Sequence, residues 1–288
     1  MEKLDNRYKG IIFIIMSAFG FAVMSAFVKL AGDLPSFQKT FFRNLVSCIV
    51  ALTFIIKNKQ SYFGKKSSQK ILLLRSALGT IGIVFNYYSI DRLVLSDANM
   101  LNKLSPFFVI IFSALFLKEK INIRQISAVL IAFIGTLFII KPTFNIEIMP
   151  FIIGILGAVF AAGAYTCLRV LGSKENTYTV VFYFSLFSLI VIFPFMASVY
   201  KAMTLIQLIY LLLAGLFASI GQFGVTLAYK YAPAKEISIF DYSNIIFSAI
   251  ISFAVFNTLP DIYSFIGYII IFSASYYIFS YNKSLKNL

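Results

Sequence analysis

The chain contains no histidine. That removes the commonest protein metal ligand and the side chain that most often moves protons near neutral pH. Acids are few, 11 Asp and Glu against 25 Lys and Arg, and charged residues make up only 12% of the 288 positions. A soluble globular chain carries about twice that share. The two cysteines, Cys48 and Cys167, both fall inside apolar stretches, so no disulfide framework or metal-ligand spacing exists. They read as small apolar fillers. No phosphate-binding loop of the G-x-x-x-x-G-K-S/T type is present, which argues against ATP-driven work by this chain alone. No catalytic group, metal or cofactor is expected.

What is abundant is apolar surface: 60% of residues are hydrophobic and the mean hydropathy is +0.89. It is gathered into ten segments, near 10–31, 36–56, 71–90, 94–117, 124–141, 149–171, 178–200, 206–230, 234–257 and 262–281. A bilayer core about 30 Å thick needs about 20 apolar residues per helical span. A soluble domain cannot bury ten such segments. The expected fold is therefore all-α and integral to the membrane, with ten transmembrane helices. Connections are short, and the longest polar gap, Lys57 to Lys70, leaves no room for a soluble domain. Residues 1–9 are charged, and the apolar run after them is too long for a signal-peptide core. They read as a cytoplasmic terminus ahead of the first span, with residues 282–288 as its counterpart.

A net charge of +14 raises the question of nucleic acid. The basic residues, however, sit in loops between spans rather than on a folded face, so a membrane surface is the expected partner and nucleic acid is not. With the amino terminus inside, the inner loops hold Lys57, Lys59, Lys65, Lys66 and Lys70 among many others. The outer loops hold Lys29, Lys39, Arg92, Lys141 and Lys201. The excess is more than threefold, so both termini are expected in the cytoplasm.

The two halves of the chain resemble each other. Shifted by about 140 residues, Lys29-Leu30-Ala31-Gly32 falls on Arg169-Val170-Leu171-Gly172, and at a slightly different offset, about 135, Ile110-Ile111-Phe112-Ser113-Ala114 recurs as Ile245-Ile246-Phe247-Ser248-Ala249. This divides the chain into a first unit, 10–141, a linker, 142–148, and a second unit, 149–281. Each unit has five spans. Five is odd, so the second unit enters the membrane from the opposite side, and the repeats are inverted. Two inverted halves enclosing a midplane site are a common build of small-molecule carriers.

Charges inside spans are expensive, so each one invites a functional reading. Asn99, Asn102, Lys103 and Pro106 fall at helical steps on one face of the fourth span. Lys103 either binds an anionic substrate group there or reaches out to the outer interface. Pro106 removes a backbone hydrogen bond and can kink the helix. At similar depth in the ninth span stands Asp241, read as the one acid clearly inside a span. Ser238, Asp241, Ser248 and Ser252 share a face, with Tyr242 and Asn244 beside it. Asp241 would bind a substrate ammonium, carry a coupled proton, or pair with Lys103. Arg43, after Phe41-Phe42, offers a planar fork to an anion or holds backbone carbonyls. Asn86 and Tyr87 in the third span and Gln222 in the eighth complete the candidate substrate-binding set. Arg75 lies near a span end and reads as snorkelling. Glycines 79, 82, 215, 221 and 224 read as close helix contacts.

Phe41-Phe42-Arg43, Pro106, Leu117-Lys118-Glu119, Asp241-Tyr242 and Phe256-Asn257-Thr258-Leu259-Pro260 carry a resemblance to the drug/metabolite transporter superfamily, in its ten-helix branch of two EamA-type repeats. It covers nearly the whole chain. It departs at Thr258, where the family's second repeat often has an acid. The resemblance implies a multi-pass carrier of small organic metabolites, such as amino acids or nucleobases, in the inner membrane. Some members import S-adenosylmethionine, and the ninth span is similar to theirs in its apolar pattern. Others export drugs. The expected function is a secondary transporter of a small polar metabolite working by alternating access, with proton coupling and a monomeric or dimeric state both open. A lipid-modifying membrane enzyme is the alternative from another class. It would call for clustered His, Asp or Cys near one interface.

Overall fold

The computed structural model describes residues 2–117, 122–140, 148–171, 174–231 and 238–284. Lys118-Glu119, linker residues 142–147, Gly172, Met1 and residues 285–288 lie outside the described residues, as does the side chain of Ser238. All regular elements described are helical. They are α1 (Glu2–Leu30), α2 (Ser36–Lys57), α3 (Gln69–Arg92), α4 (Leu95–Asn102), α5 (Ser105–Leu117), α6 (Ile123–Ile140), α7 (Met149–Leu171), α8 (Thr177–Ser198), α9 (Leu205–Tyr231), α10 (Ser243–Phe256) and α11 (Ile262–Ser284). Short 3-10 turns at Lys66–Ser68 and Ser238–Tyr242 precede α3 and α10. Eight stretches are long and apolar enough to cross a membrane, with α4 and α5 together forming one of them. The fifth and ninth positions hold shorter apolar helices, Ile126–Ile139 and Phe240–Phe256. Together they make the ten spans.

Helix ends follow local chemistry. After α1, Gly32 takes a left-handed φ of +67° and donates its N–H to the Lys29 carbonyl at 3.0 Å. Glycine alone takes that conformation at little cost. Pro35, which donates no backbone hydrogen bond, then starts α2. At the end of α10, Asn257 is left-handed at φ 54° and its N–H reaches the Phe253 carbonyl. The Thr258 N–H closes on the Ser252 carbonyl at 3.2 Å, and the Thr258 and Ser252 hydroxyls lie 2.9 Å apart. Thr258 is thus part of the cap that ends α10.

The packing repeats the symmetry of the sequence. The first helix of each half lies against the third of the other, α1 on α9 and α7 on α3. The second helices pair, α2 with α8, and so do the fifth, α6 with α11. First helices also meet the fourth of the opposite half, α1 on α10 and α7 on α5. The two units are therefore interlocked, not side by side. Glycines set the crossings. A Cβ on Gly20 of α1 would lie 2.9 Å from the Gly221 nitrogen of α9, and one on Gly82 of α3 would lie 3.2 Å from the Gly157 carbonyl of α7. A Cβ on Gly267 of α11 would lie 2.6 Å from the Gly135 carbonyl of α6. Outward faces carry exposed Leu130, Leu137, Ile190, Ile209 and Ile269. Apolar side chains facing outward suit acyl chains, not water.

Candidate substrate site

The site begins where two helices break. The Pro106 ring would collide with the carbonyl four residues back, that of Asn102, so a continuous helix cannot pass. α4 accordingly ends at Asn102, and Lys103 and Leu104 form a turn before α5. This corrects the expectation of one unbroken helical face through Asn99, Asn102, Lys103 and Pro106. Lys103 lies in the break itself. In the second half, the Ser238–Tyr242 turn precedes α10 in the same role and carries Asp241. Here too Asp241 is not on a continuous α-helical face with Ser248 and Ser252.

The two breaks meet across the halves. Lys103 Nζ lies 2.6 Å from Asp241 Oδ2, with side-chain exposures of 10% and 23%. The bond is returned one residue on: the Tyr242 hydroxyl donates to the Lys103 carbonyl at 3.1 Å, an acceptor the broken helix has freed. Tyr242 in turn accepts from Ser275 of α11. Neighbouring polar residues hold α4 in place. Asn99 donates to Ser248 of α10 at 2.8 Å and accepts from Ser25 of α1 at 3.1 Å. Asp97, 6% exposed, accepts from the Tyr268 hydroxyl of α11. Asn244 donates to the Ala18 carbonyl at 2.7 Å and ties α10 to α1.

A second polar group lies on α2, α3, α7 and α8. Arg43 donates through Nη1 to Asn44 at 2.5 Å, and Asn44 donates to Ser188 of α8 at 2.7 Å. Tyr87 is buried within reach of Arg43, with its hydroxyl 3.5 Å from Met24 Sδ. Arg75 does not snorkel. It is 4% exposed, with its guanidinium 3.9 Å from the centre of the Phe184 ring. Tyr165 of α7 stands within electrostatic range of Arg43, Arg75 and Asp241. Asn102, Asn86 and Gln222 are half-buried, and their side chains make no hydrogen bond among the described residues.

Asp241 is not the sole acid within the spans. Asp91, near the end of α3, is ion-paired to Lys39, whose side chain is fully buried near the start of α2. Lys29 covers the same corner, donating to the Leu93 carbonyl at 2.5 Å. Counting Lys39 as a loop charge hid this pair. Asp97, near the start of the fourth span, is a further buried acid. Lys39→Met is expected to lower stability by about 3 kcal/mol, because it leaves a mostly buried carboxylate without its partner. Lys39→Met with Asp91→Leu is expected to recover most of that loss. Melting in detergent would measure both. A single variant that melts like the parent would mean that water already solvates Asp91.

An EamA-like transporter family matches residues 8–141 and 148–280, once in each half. The chain belongs to the EamA-like transporter family. This EamA-like transporter is 32% identical over 271 residues to the pseudopaline exporter CntI of Pseudomonas aeruginosa (strain UCBPP-PA14), covering 93% of this chain and 95% of that one. It is 26% identical over 298 residues to the S-adenosylmethionine uptake transporter of Rickettsia bellii, covering 99% and 98%. Human solute carrier family 35 member G1 is 26% identical over 267 residues, covering 87% of this chain and 73% of its own. A solved crystal structure at 12% identity superposes with a TM-score of 0.70 over 96% of this chain and 98% of that chain, which supports the fold alone. Family and relatives are named as transporters, not enzymes, and place this protein among multi-pass membrane proteins.

Proposed function

We propose that the protein is a secondary transporter that carries a small polar organic metabolite across the inner membrane by alternating access. The observation that carries this reading is the Lys103–Asp241 pair. It joins the break of the fourth span to the break of the ninth, the matching positions of two inverted halves. Broken helices free backbone groups and side chains for a polar solute at membrane depth. The Lys39–Asp91 pair joins α2 to α3 within one half and can persist as the halves move. The Lys103–Asp241 pair crosses between halves and must open. Substrate carboxylate and ammonium groups compete for its two ends, and Asp241 is the candidate carrier of a coupled proton. Both termini face the cytoplasm, on the basic-loop excess. Substrate contacts come from Lys103, Asp241, Asn99, Asn102, Arg43, Tyr87, Asn86 and Gln222, with Tyr242 and Asn244 holding the breaks together.

The test is accumulation of labelled solutes, drawn from amino acids, nucleobases, organic acids and S-adenosylmethionine, in proteoliposomes containing the purified protein. One class is expected to accumulate, to be recovered chemically unchanged, and to depend on an imposed ion gradient. Recovery of the label in a covalently altered product would overturn the reading.

A further inference from the structure

Arg43 and Arg75 are the unusual feature left over from this account. Both lie within spans, 3% and 4% exposed. α2 and α3 are consecutive spans, so they run in opposite directions through the membrane. Each arginine sits about two turns, roughly 10 Å, from the start of its helix. Both heads rest against one face of α8, Arg75 on the Phe184 ring and Arg43, through Asn44, on Ser188 one turn further along. Among the described residues neither forms an ion pair. Asp241, the acid at the break of the ninth span, is paired with Lys103.

Several of their donors also lack partners. Arg43 Nε, Arg75 Nε and Arg75 Nη1 are buried without a hydrogen-bond partner. Both heads are held in fixed poses, Arg43 by the Asn44–Ser188 chain and Arg75 by the Phe184 ring. A buried polar group without a partner is costly, and a buried charge without one is costlier. Two cations kept together, oriented and unpaired, are arranged for a missing negative group. A guanidinium presents its donors in a planar fork that matches the two oxygens of a carboxylate or phosphate.

We propose that Arg43 and Arg75 form an oxyanion-binding station on the substrate path, and that the transported metabolite bears carboxylate or phosphate groups. The proposal rests on the transporter reading and narrows its substrate class. It places the anionic part of the solute at the arginines and leaves its other end to Tyr165 and the Lys103–Asp241 pair. A sulfonium or ammonium compound without a free acid group would meet two uncompensated charges there.

The probe is citrate, with inorganic phosphate as a second anion. Both are titrated against the full-length protein in nanodiscs of zwitterionic lipid. Citrate is expected to raise the melting temperature in a dose-dependent way. Arg75→Met and Arg43→Met are each expected to weaken the apparent affinity at least tenfold. Without anion, Arg75→Met is expected to melt at or above the parent temperature, because it removes an unpaired buried charge. Arg75→Met melting below the parent without anion, at unchanged citrate affinity, would make the arginine structural and overturn the proposal. Stabilisation by discs containing phosphatidylglycerol, with none from citrate or phosphate, would assign the site to a lipid headgroup and overturn it equally. Accumulation in proteoliposomes of a neutral or cationic solute alone, unaffected by Arg75→Met, would refute the anion station and leave the transporter reading intact. Anion binding together with covalent turnover of the bound compound would instead refute the transporter reading.

Discussion

Lys103→Ala is expected to abolish solute accumulation, a loss of at least a hundredfold, while the protein still inserts in the membrane. Removing one member of a fully buried ion pair costs about 3–5 kcal/mol, because the other charge stays behind. Asp241 is 23% exposed at its side chain, so the cost here is lower, roughly 2–3 kcal/mol. Asp241→Asn is expected to lose transport to the same degree. The informative variant carries both charges exchanged, Lys103→Asp with Asp241→Lys. It restores attraction across the two breaks, and melting is expected to return most of the way to the parent value. Transport is not expected to return, because the substrate then meets each charge on the wrong half. A swapped protein that both melts and transports like the parent would reduce the pair to a structural clasp. Single variants that keep full uptake at unchanged apparent affinity would remove Lys103 and Asp241 from the substrate path.

The spans were legible because a bilayer imposes a length on apolar runs, and the inverted repeat followed from five spans per unit. The break in the fourth span had a local signal in Pro106. The ninth has none: Ser238 to Tyr242 contains neither proline nor glycine, and its 3-10 turn is fixed by contacts with α1 and α11. The faces inferred from helical steps near Lys103 and Asp241 therefore failed at the two positions that matter most. Arg75 was misread for a related reason. Distance from a span end suggests snorkelling, but the direction of a side chain depends on what its helix packs against, and here that is Phe184 of α8. Lys39 was hidden because positive-inside counting assigns basic charges near span ends to loops, and Asp91 because it falls just past the expected end of the third span, which the helix extends to Arg92. Long-range pairs of this sort leave no spacing in the sequence. The glycines, by contrast, were read correctly as close contacts, since a missing side chain at a helix crossing has the same meaning wherever the partner lies.

Gly20→Ala is expected to lower stability by about 2 kcal/mol or more, through overpacking at the α1–α9 crossing. The added carbon would stand 2.9 Å from the Gly221 nitrogen and 3.0 Å from the Phe217 carbonyl. Both are backbone atoms of one helix, so no rotamer change relieves them, and α1 must move as a body. Helices in lipid gain little from hydrophobic burial against each other, and close van der Waals packing holds them together. The equivalent crossing in the other half is looser. A Cβ at Gly82 would stand 3.2 Å from both the Ala161 nitrogen and the Gly157 carbonyl, so Gly82→Ala is expected to cost less than about 1 kcal/mol. The ranking tests how far the pseudo-symmetry of the fold extends to its energetics. It also bears on transport. α1 supplies Ser25 to Asn99 and the Ala18 carbonyl to Asn244, so it positions both broken helices. Displacing it moves the stub that carries Lys103. Gly20→Ala is therefore expected to slow transport severalfold even at a temperature where it remains folded, with Gly82→Ala close to the parent. Equal melting of the two variants would mean that the crossings yield alike, and that α1 does not set the geometry of the ion pair.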